Sequence, residues 1–424
     1  MDQVPPSPNA IEAPPLLPSQ PGKKSGRRTL AVLLSFCLAL FLVDGLVSFV
    51  DDGVIVLFHS HALSLFRGLV SLAAILMALG LYVLIGASPA VPKRLFLPIP
   101  LFCLASMLAT FPLAIYWHHQ IEAIGFAIST AQLMLAVFLV GLSGKQRQGW
   151  WPLVSEEQLG VKGFSGRRFI AFVLGNVFVV LPLIAVFLFA CGARAVSHFS
   201  EGFMALHPKG FTVQVRKYVR EDGKVVQLFP MAHVASASFY QQVSRTFPSN
   251  SVILMEGVTD NGNLLTNKIS YKRMAKSLGL SEQKEMFTPK ESAGEPIRAD
   301  VDVSEFSSNT IDFLNLMMLF HSQGVTPENV SKLMQYSPPP GFEEQLFDDL
   351  LRKRNAHLLG EIRANLKTSD NIMVPWGVAH MPGLAREIEK YGFHLSETKE
   401  FVVIPFGRGR VLADGGRGEE AAGK

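Results

Sequence analysis

Five stretches of this chain are each long and apolar enough to cross a lipid bilayer, over about 29–50, 66–87, 96–117, 121–143 and 168–192. A hydrocarbon layer about 30 Å thick needs roughly 20 helical residues to span it. The third stretch contains Pro98, Pro100 and Pro112, which membrane helices tolerate because neighbouring groups take up the freed backbone. The first contains Asp44. An acid inside a span is a functional suspect by default. The other reading places Asp44 near a helix end with Asp51 and Asp52. Only 17% of the chain is charged, against roughly 25% in soluble proteins, and the shortage falls in the first half. A membrane part followed by a soluble part is therefore expected.

Loop charges set the orientation. The tail before the first span is rich in Pro and Ser, reads as disordered and ends in Lys23, Lys24, Arg27 and Arg28. The link after the second span carries Lys93 and Arg94, and the link after the fourth carries Lys145, Arg147, Lys162, Arg167 and Arg168. The alternate links, around Asp51–Asp52 and 117–122, have almost no Lys or Arg. By the positive-inside rule the N-terminus is cytoplasmic, and with five spans everything after about 193 is extracytoplasmic. Trp117, Trp150 and Trp151 fall at span ends, as interfacial aromatics do. The basic residues sit beside apolar segments, so a lipid bilayer, not nucleic acid, is the expected partner. Cys37, Cys103 and Cys191 all lie in apolar stretches, which leaves the soluble part without a disulfide framework or a cysteine-rich zinc signature.

From about 197 to 411 the pattern changes to that of an α/β domain, and the chain closes with a Gly-, Glu- and Ala-rich tail over 412–424. Strand-like runs at 211–219 and 224–229 flank "REDGK", a hairpin signal, and further strands are expected at 251–256, 372–376 and 401–406. Helical periodicity covers about 236–247, 308–323, 343–367 and 383–391, while 282–306 reads as loop. Strands interleaved with helices predict a mixed, mostly parallel sheet with flanking helices and an antiparallel hairpin at its start.

Two strands end in the same way. "VVQLFPMAHVASASFYQQV" runs through a strand and a turn to His233 and then a helix; "IMVPWGVAHMPGLAREI" does the same with His380. A third strand, "SVILMEGV", ends in Glu256, with Asp260 just beyond. Ligand sites in open α/β sheets lie beyond the carboxyl ends of the strands. Two histidines and a carboxylate there suit a divalent metal of the Mn, Fe, Co or Zn group, and equally suit metal-free acid–base chemistry. On the helix at 343–367, Arg354 falls in the middle of the apolar stripe and Asn355 at its margin. A guanidinium there is either a structural partner for a core carboxylate, with Asp300 and Asp302 of "IRADVDVSEF" available, or it is aimed into the site to hold substrate or developing negative charge.

These residues resemble the TraB/PrgY/GumN family, which includes the Tiki proteins. The family carries two Gly-x-x-His motifs with a glutamate on the strand after the first. "GVAH" at 377–380, followed by "MPG", matches the second motif; Glu256 matches the glutamate, and Arg354–Asn355 matches an Arg-Asn pair before the second motif. The resemblance covers about half the chain. One position departs: the first motif reads "PMAH", with Pro230 where the family has Gly. The resemblance implies a fold like erythromycin-esterase-like and ChaN-like domains, and a metal-dependent hydrolase, with peptidases among the activities it covers, using Mn, Co or Zn. In that reading His233, Glu256 and His380 hold the metal, Glu256 also serving as general base, and Arg354 completes the catalytic set. The substrate would be a peptide or small molecule. The alternative, which Pro230 favours, is a non-catalytic ligand- or peptide-binding or sensing domain on a membrane anchor. A third reading is a transporter centred on Asp44.

Overall fold

The computed structural model describes residues 21–144, 151–161, 163–266, 271–289, 294 and 296–407. The tail before residue 21, Lys145, Arg147, Trp150, Lys162 and the C-terminal tail from 408 lie outside the described residues, as do the side chains of Lys23 and Lys24. The chain divides into two units, Met1–Leu188 and Phe189–Lys424.

Among the described residues, five helices are long and apolar enough to cross a membrane: Gly26–Phe58, Ser64–Ala87, Lys93–Tyr116, His118–Gly144 and Gly166–Phe199. They match the five expected stretches, and the first is longer than expected at both ends. Pro98 begins its helix and Pro112 lies inside it. Asp44 lies well within the first span, where it accepts hydrogen bonds from Ser71 Oγ and Gln132 Nε2, both at 2.7 Å. Asp51 and Asp52 form a separate group about two turns further on, both paired to Arg67. Asp44 therefore does not belong to a helix end shared with the other two. Ser35, fully buried, takes the backbone N–H of Val154 at 3.0 Å and so fixes the loop after the fourth span to the first.

Among the described residues, the second unit is built on one seven-stranded sheet. Its strands are β1 (Met204–His207), β2 (Gly210–Val219), β3 (Val225–Met231), β5 (Val252–Met255), β7 (Pro296–Arg298), β8 (Asn371–Gly377) and β9 (His394–Pro405); β4 (Val234–Ala235) and β6 (Ser281–Glu282) form a small separate pair. β3, β8, β5 and β7 lie side by side in parallel. β1, β3 and β9 all pair antiparallel with β2. The expected mixed sheet with an opening hairpin is present, and its antiparallel share is larger than the hairpin alone. β9 begins at His394 because "SETKE", although polar, pairs along β2 as an exposed edge. Charged residues on an edge strand oppose pairing with other chains.

Alternation along the strands gives each face its own core. Val226, Leu228, Leu254, Ile372, Val374 and Trp376 pack with helices Arg354–Asn365 and Met381–Lys390. On the other face Phe229, Met231, Ile253 and Met373 pack with helix Ala237–Arg245. Strands β3, β8 and β5 each sit between two greasy layers, which explains their nearly continuous apolar runs.

Of the two prolines in the central strands, one decides where they part. Val225 N–H donates to Asp370 O, so the odd residues of β3 turn their backbone toward β8 and the even ones toward β2. Pro230 thus points its missing N–H toward β2, where pairing has already ended at Leu228↔Arg216. It interrupts no ladder bond. Pro375 is different. Met255 O accepts from Ala299 N on the β7 side, which leaves Leu254 O facing β8 opposite Pro375, a residue with no N–H to give. The β5–β8 register stops at Ile253↔Met373. The Trp376 indole N–H donates to the orphaned Leu254 O at 3.0 Å. Trp376→Phe leaves that buried carbonyl unsatisfied and should cost about 1–3 kcal/mol, read as a lower unfolding temperature of the purified protein.

Candidate functional site

The parting of β5 from β8 opens a crevice at the carboxyl ends of the strands. Glu256 follows β5 directly and turns its side chain into the gap. Gly377, the last residue of β8, donates its N–H to Glu256 Oε2 at 2.6 Å. A carboxylate thereby takes the place of the next ladder bond. Glycine keeps this approach open: a Cβ on residue 377 would lie 3.3 Å from the same oxygen, tight enough that the carboxylate would have to give by a few tenths of an ångström. The other oxygen, Glu256 Oε1, accepts from Arg354 Nη2 at 2.9 Å.

Arg354 is clamped on both sides. Its Nε and Nη2 reach Asp300 Oδ1 and Oδ2 at 2.9 and 2.7 Å, a two-pronged pair, and Nη2 also serves Glu256. Nη1 donates to Leu350 O at 3.4 Å. Asp300 has a fully buried side chain and takes two backbone donors as well, Gly257 N and Val301 N, both at 2.9 Å. Of the two aspartates suggested by the sequence, Asp300 is therefore the partner. Asp302 instead organises the loop next to it, through Thr259 Oγ1, Asn261 N and Ser304 N, and those donors hold its carboxyl well below the usual range. Asp260 is also structural, accepting from Leu264 N and Leu265 N.

His380 is 3% exposed. Its Nδ1 lies 2.7 Å from Asn355 Oδ1. An amide oxygen only accepts, so the neutral ring carries its proton on Nδ1 and turns a bare Nε2 toward Glu256 Oε1, 3.6 Å away. Burial, reinforced by the Arg354 guanidinium, pushes the His380 pKa down to about 4, while Glu256 and Asp300 pull the other way. Asn355 is held in turn by the helix packing: a Cβ at Gly383 would come within 2.8 Å of its Nδ2. This gives "MPG" a physical reason. The glycine leaves room for the amide that fixes the His380 ring.

His233 follows β3 and is exposed, its ring stacked on Tyr271 at 4.9 Å with the planes 9° apart. Burial, and then the carboxylates of Glu256 and Glu282, raise the Tyr271 pKa. His233, Glu256, Arg354 and His380 all line one cavity of about 660 Å³. The structure therefore brings the four sequence-derived residues to one crevice, with Glu256 bonded to Arg354 and 3.6 Å from His380. Sequence reasoning missed Tyr271, which carries no motif, and the roles of Gly383 and the Trp376 indole.

A resident divalent ion fits this arrangement poorly. Structural and catalytic zinc sites use at least three protein donors at about 2.0–2.3 Å. Among the described residues, no group of three or more His, Cys, Asp and Glu side chains is disposed to hold a metal. Both oxygens of Glu256 already accept hydrogen bonds, and His233 stacks on Tyr271. Compared with known protein families, curated proteins and solved structures, the chain matches none.

Two outcomes follow from the clamp and the ring. Arg354→Met strands two carboxylates and should cost roughly 3–5 kcal/mol of stability, measured by denaturant unfolding. The unfolded chain protonates His380 at the ordinary value near 6.5, whereas the folded site resists until about 4. Folding stability is therefore complete above pH 6.5 and declines by roughly 3 kcal/mol as pH falls toward 4. His380→Gln should remove that slope from the stability–pH curve.

Proposed function

We propose that the second unit is a hydrolase on a multi-pass membrane anchor, with its reaction centre in the crevice at the ends of β3, β5 and β8. One observation carries the reading: a buried histidine, neutral at physiological pH, turns an unprotonated Nε2 toward a carboxylate at the floor of the cavity. In this reading His380 takes a proton from water as the water attacks the substrate carbonyl. Asn355 holds the required tautomer through Nδ1. Glu256 stabilises the imidazolium as it forms, which is the work a carboxylate does beside a general-base histidine. His233 delivers a proton to the leaving group, and Arg354 is a positioning residue that fixes Glu256.

The motif resemblance supports a hydrolase of the TraB/PrgY/GumN type, with a peptide bond among the candidate targets. Pro230 does not weigh against activity, because its missing N–H faces a side where pairing has ended. The binding-module alternative draws on a different observation. The Arg354 N–H donors to Glu256 and Asp300 and both Glu256 oxygens are already engaged, an arrangement that also suits a rigid recognition floor.

Full-length protein, assayed on a panel of neutral ester and peptide substrates, should hydrolyse at least one of them. His380→Ala should lower kcat/KM by about 10²–10⁴-fold, the usual contribution of a general base, and Glu256→Gln should lower it less. The rate should hold from neutrality to about pH 5 and fall with a midpoint near 4. Turnover that His380→Ala leaves unchanged would sink the assignment. Activity lost to a chelator and restored by Mn, Co or Zn would replace it with the metal-dependent form. The loop charges further propose an extracytoplasmic second unit; a C-terminal reporter active only outside the cytoplasm checks this.

A further inference from the structure

The cavity is apolar on its walls and negative on its floor. Met204, Val213, Met231, Leu346, Leu350 and Val403 supply wall surface. Glu256 lies at the floor and Glu343 on the exposed part of the lining. Among the described residues that line it, Arg354 is the only Lys or Arg. Four of its five N–H donors are already committed, with Nε and Nη2 on Asp300, Nη2 on Glu256 and Nη1 on Leu350 O. One buried guanidinium thus stands between two buried or nearly buried carboxylates, Asp300 behind it and Glu256 in front. An entering carboxylate or phosphate would meet Glu256 and Glu343 and find most of the guanidinium occupied. That mismatch carries a desolvation cost with no compensating pair.

An ammonium meets a different balance: Arg354 opposes it, as it opposes a proton on His380, while Glu256 in front, Asp300 behind and Glu343 on the exposed lining favour it. Glu256 Oε1 and His380 Nε2 both present lone pairs and lie 3.6 Å apart. In the tautomer set by Asn355, neither donates to the other. A group with three N–H donors and a positive charge can address both acceptors at once. The apolar walls then take the carbon skeleton of the same molecule, in a cavity of about 660 Å³, a volume within the usual range for small-molecule sites.

We propose that this crevice selects apolar molecules bearing a protonated aliphatic amine, either a hydrophobic amine or the free N-terminus of an apolar peptide, and rejects their carboxylate counterparts. The proposal rests on the crevice being the ligand site, as in the function proposed above, and names the class of ligand; an ammonium on His380 Nε2 takes the place of the water that the hydrolytic reading puts there.

The test uses the full-length protein in nanodiscs, with empty nanodiscs as the partition control, and measures binding by calorimetry. Hexylamine, hexanol and hexanoate share a chain length and differ in the head group. Hexylamine should bind at least about tenfold more tightly than hexanoate, with hexanol between them. Glu343→Gln, on the exposed part of the lining, should narrow the amine-to-carboxylate ratio about two- to threefold without disturbing the clamp. Glu256→Gln should narrow it further. A trileucine amide with a free N-terminus that binds more tightly than its N-acetylated form points to a peptide source; equal binding of the two, below hexylamine, points to a small amine. Hexanoate binding as tightly as hexylamine overturns the proposal, and so does an absence of binding by all five probes. The measurement needs no turnover. Amine selectivity without hydrolysis of any substrate would remove the hydrolase reading and leave the selectivity standing. Hydrolysis of neutral esters with no amine preference would do the reverse.

Discussion

The site depends on one buried ionic clamp. Arg354 ties a helix to the end of β5 through Glu256 and to the segment after β7 through Asp300. A lone guanidinium on that apolar stripe would be intolerable. With Asp300 also receiving two backbone donors, the charges hold one another in a fixed geometry. Everything that faces the cavity hangs on this. Glu256 can point inward because Arg354 and Gly377 hold its two oxygens, and His380 can stay neutral because a cation and a greasy wall surround it. The clamp contributes position more than stability, since buried ion pairs recover little beyond their own desolvation.

The reading of the crevice as a hydrolytic centre and its reading as a rigid recognition floor share this geometry and divide over what His380 does. A ring with an unprotonated Nε2 near neutral pH can take a proton from water or receive a hydrogen bond from an amine. Both uses need the same neutral ring, and Asn355 secures it for either.

Much of the fold was visible in the pattern of apolar residues. The five spans and the strands β2, β3, β5 and β8 follow from runs whose length and neighbours leave few alternatives. The convergence of His233, Glu256 and His380 followed from a repeated corner and the general placement of ligands at strand ends. β7 and the first half of β9 were not legible. Their residues are exposed, with β7 only three residues long and the start of β9 mostly polar, and their strand form comes from partners distant in sequence rather than from their own composition. The choice between Asp300 and Asp302 was open for a similar reason: two residues of one type, two apart, differ only in what the fold brings near them. Asp44 also needed the structure. A sequence can show that an acid falls within a span, but not that Ser71 and Gln132 come from other helices to meet it.

Pro375 has a wider consequence. Hydrogen bonding between parallel strands closes like a zipper, and a residue without an N–H is a stop on the track. Here the stop is written into β8 two residues before Gly377, so the depth of the crevice is a property of sequence position rather than of side-chain size. Moving such a stop along a strand would make the opening deeper or shallower, at the expense of whichever core residue it replaces. Variation in pocket depth across sheets of this kind can therefore arise from single proline placements, without any change in the residues that line the pocket.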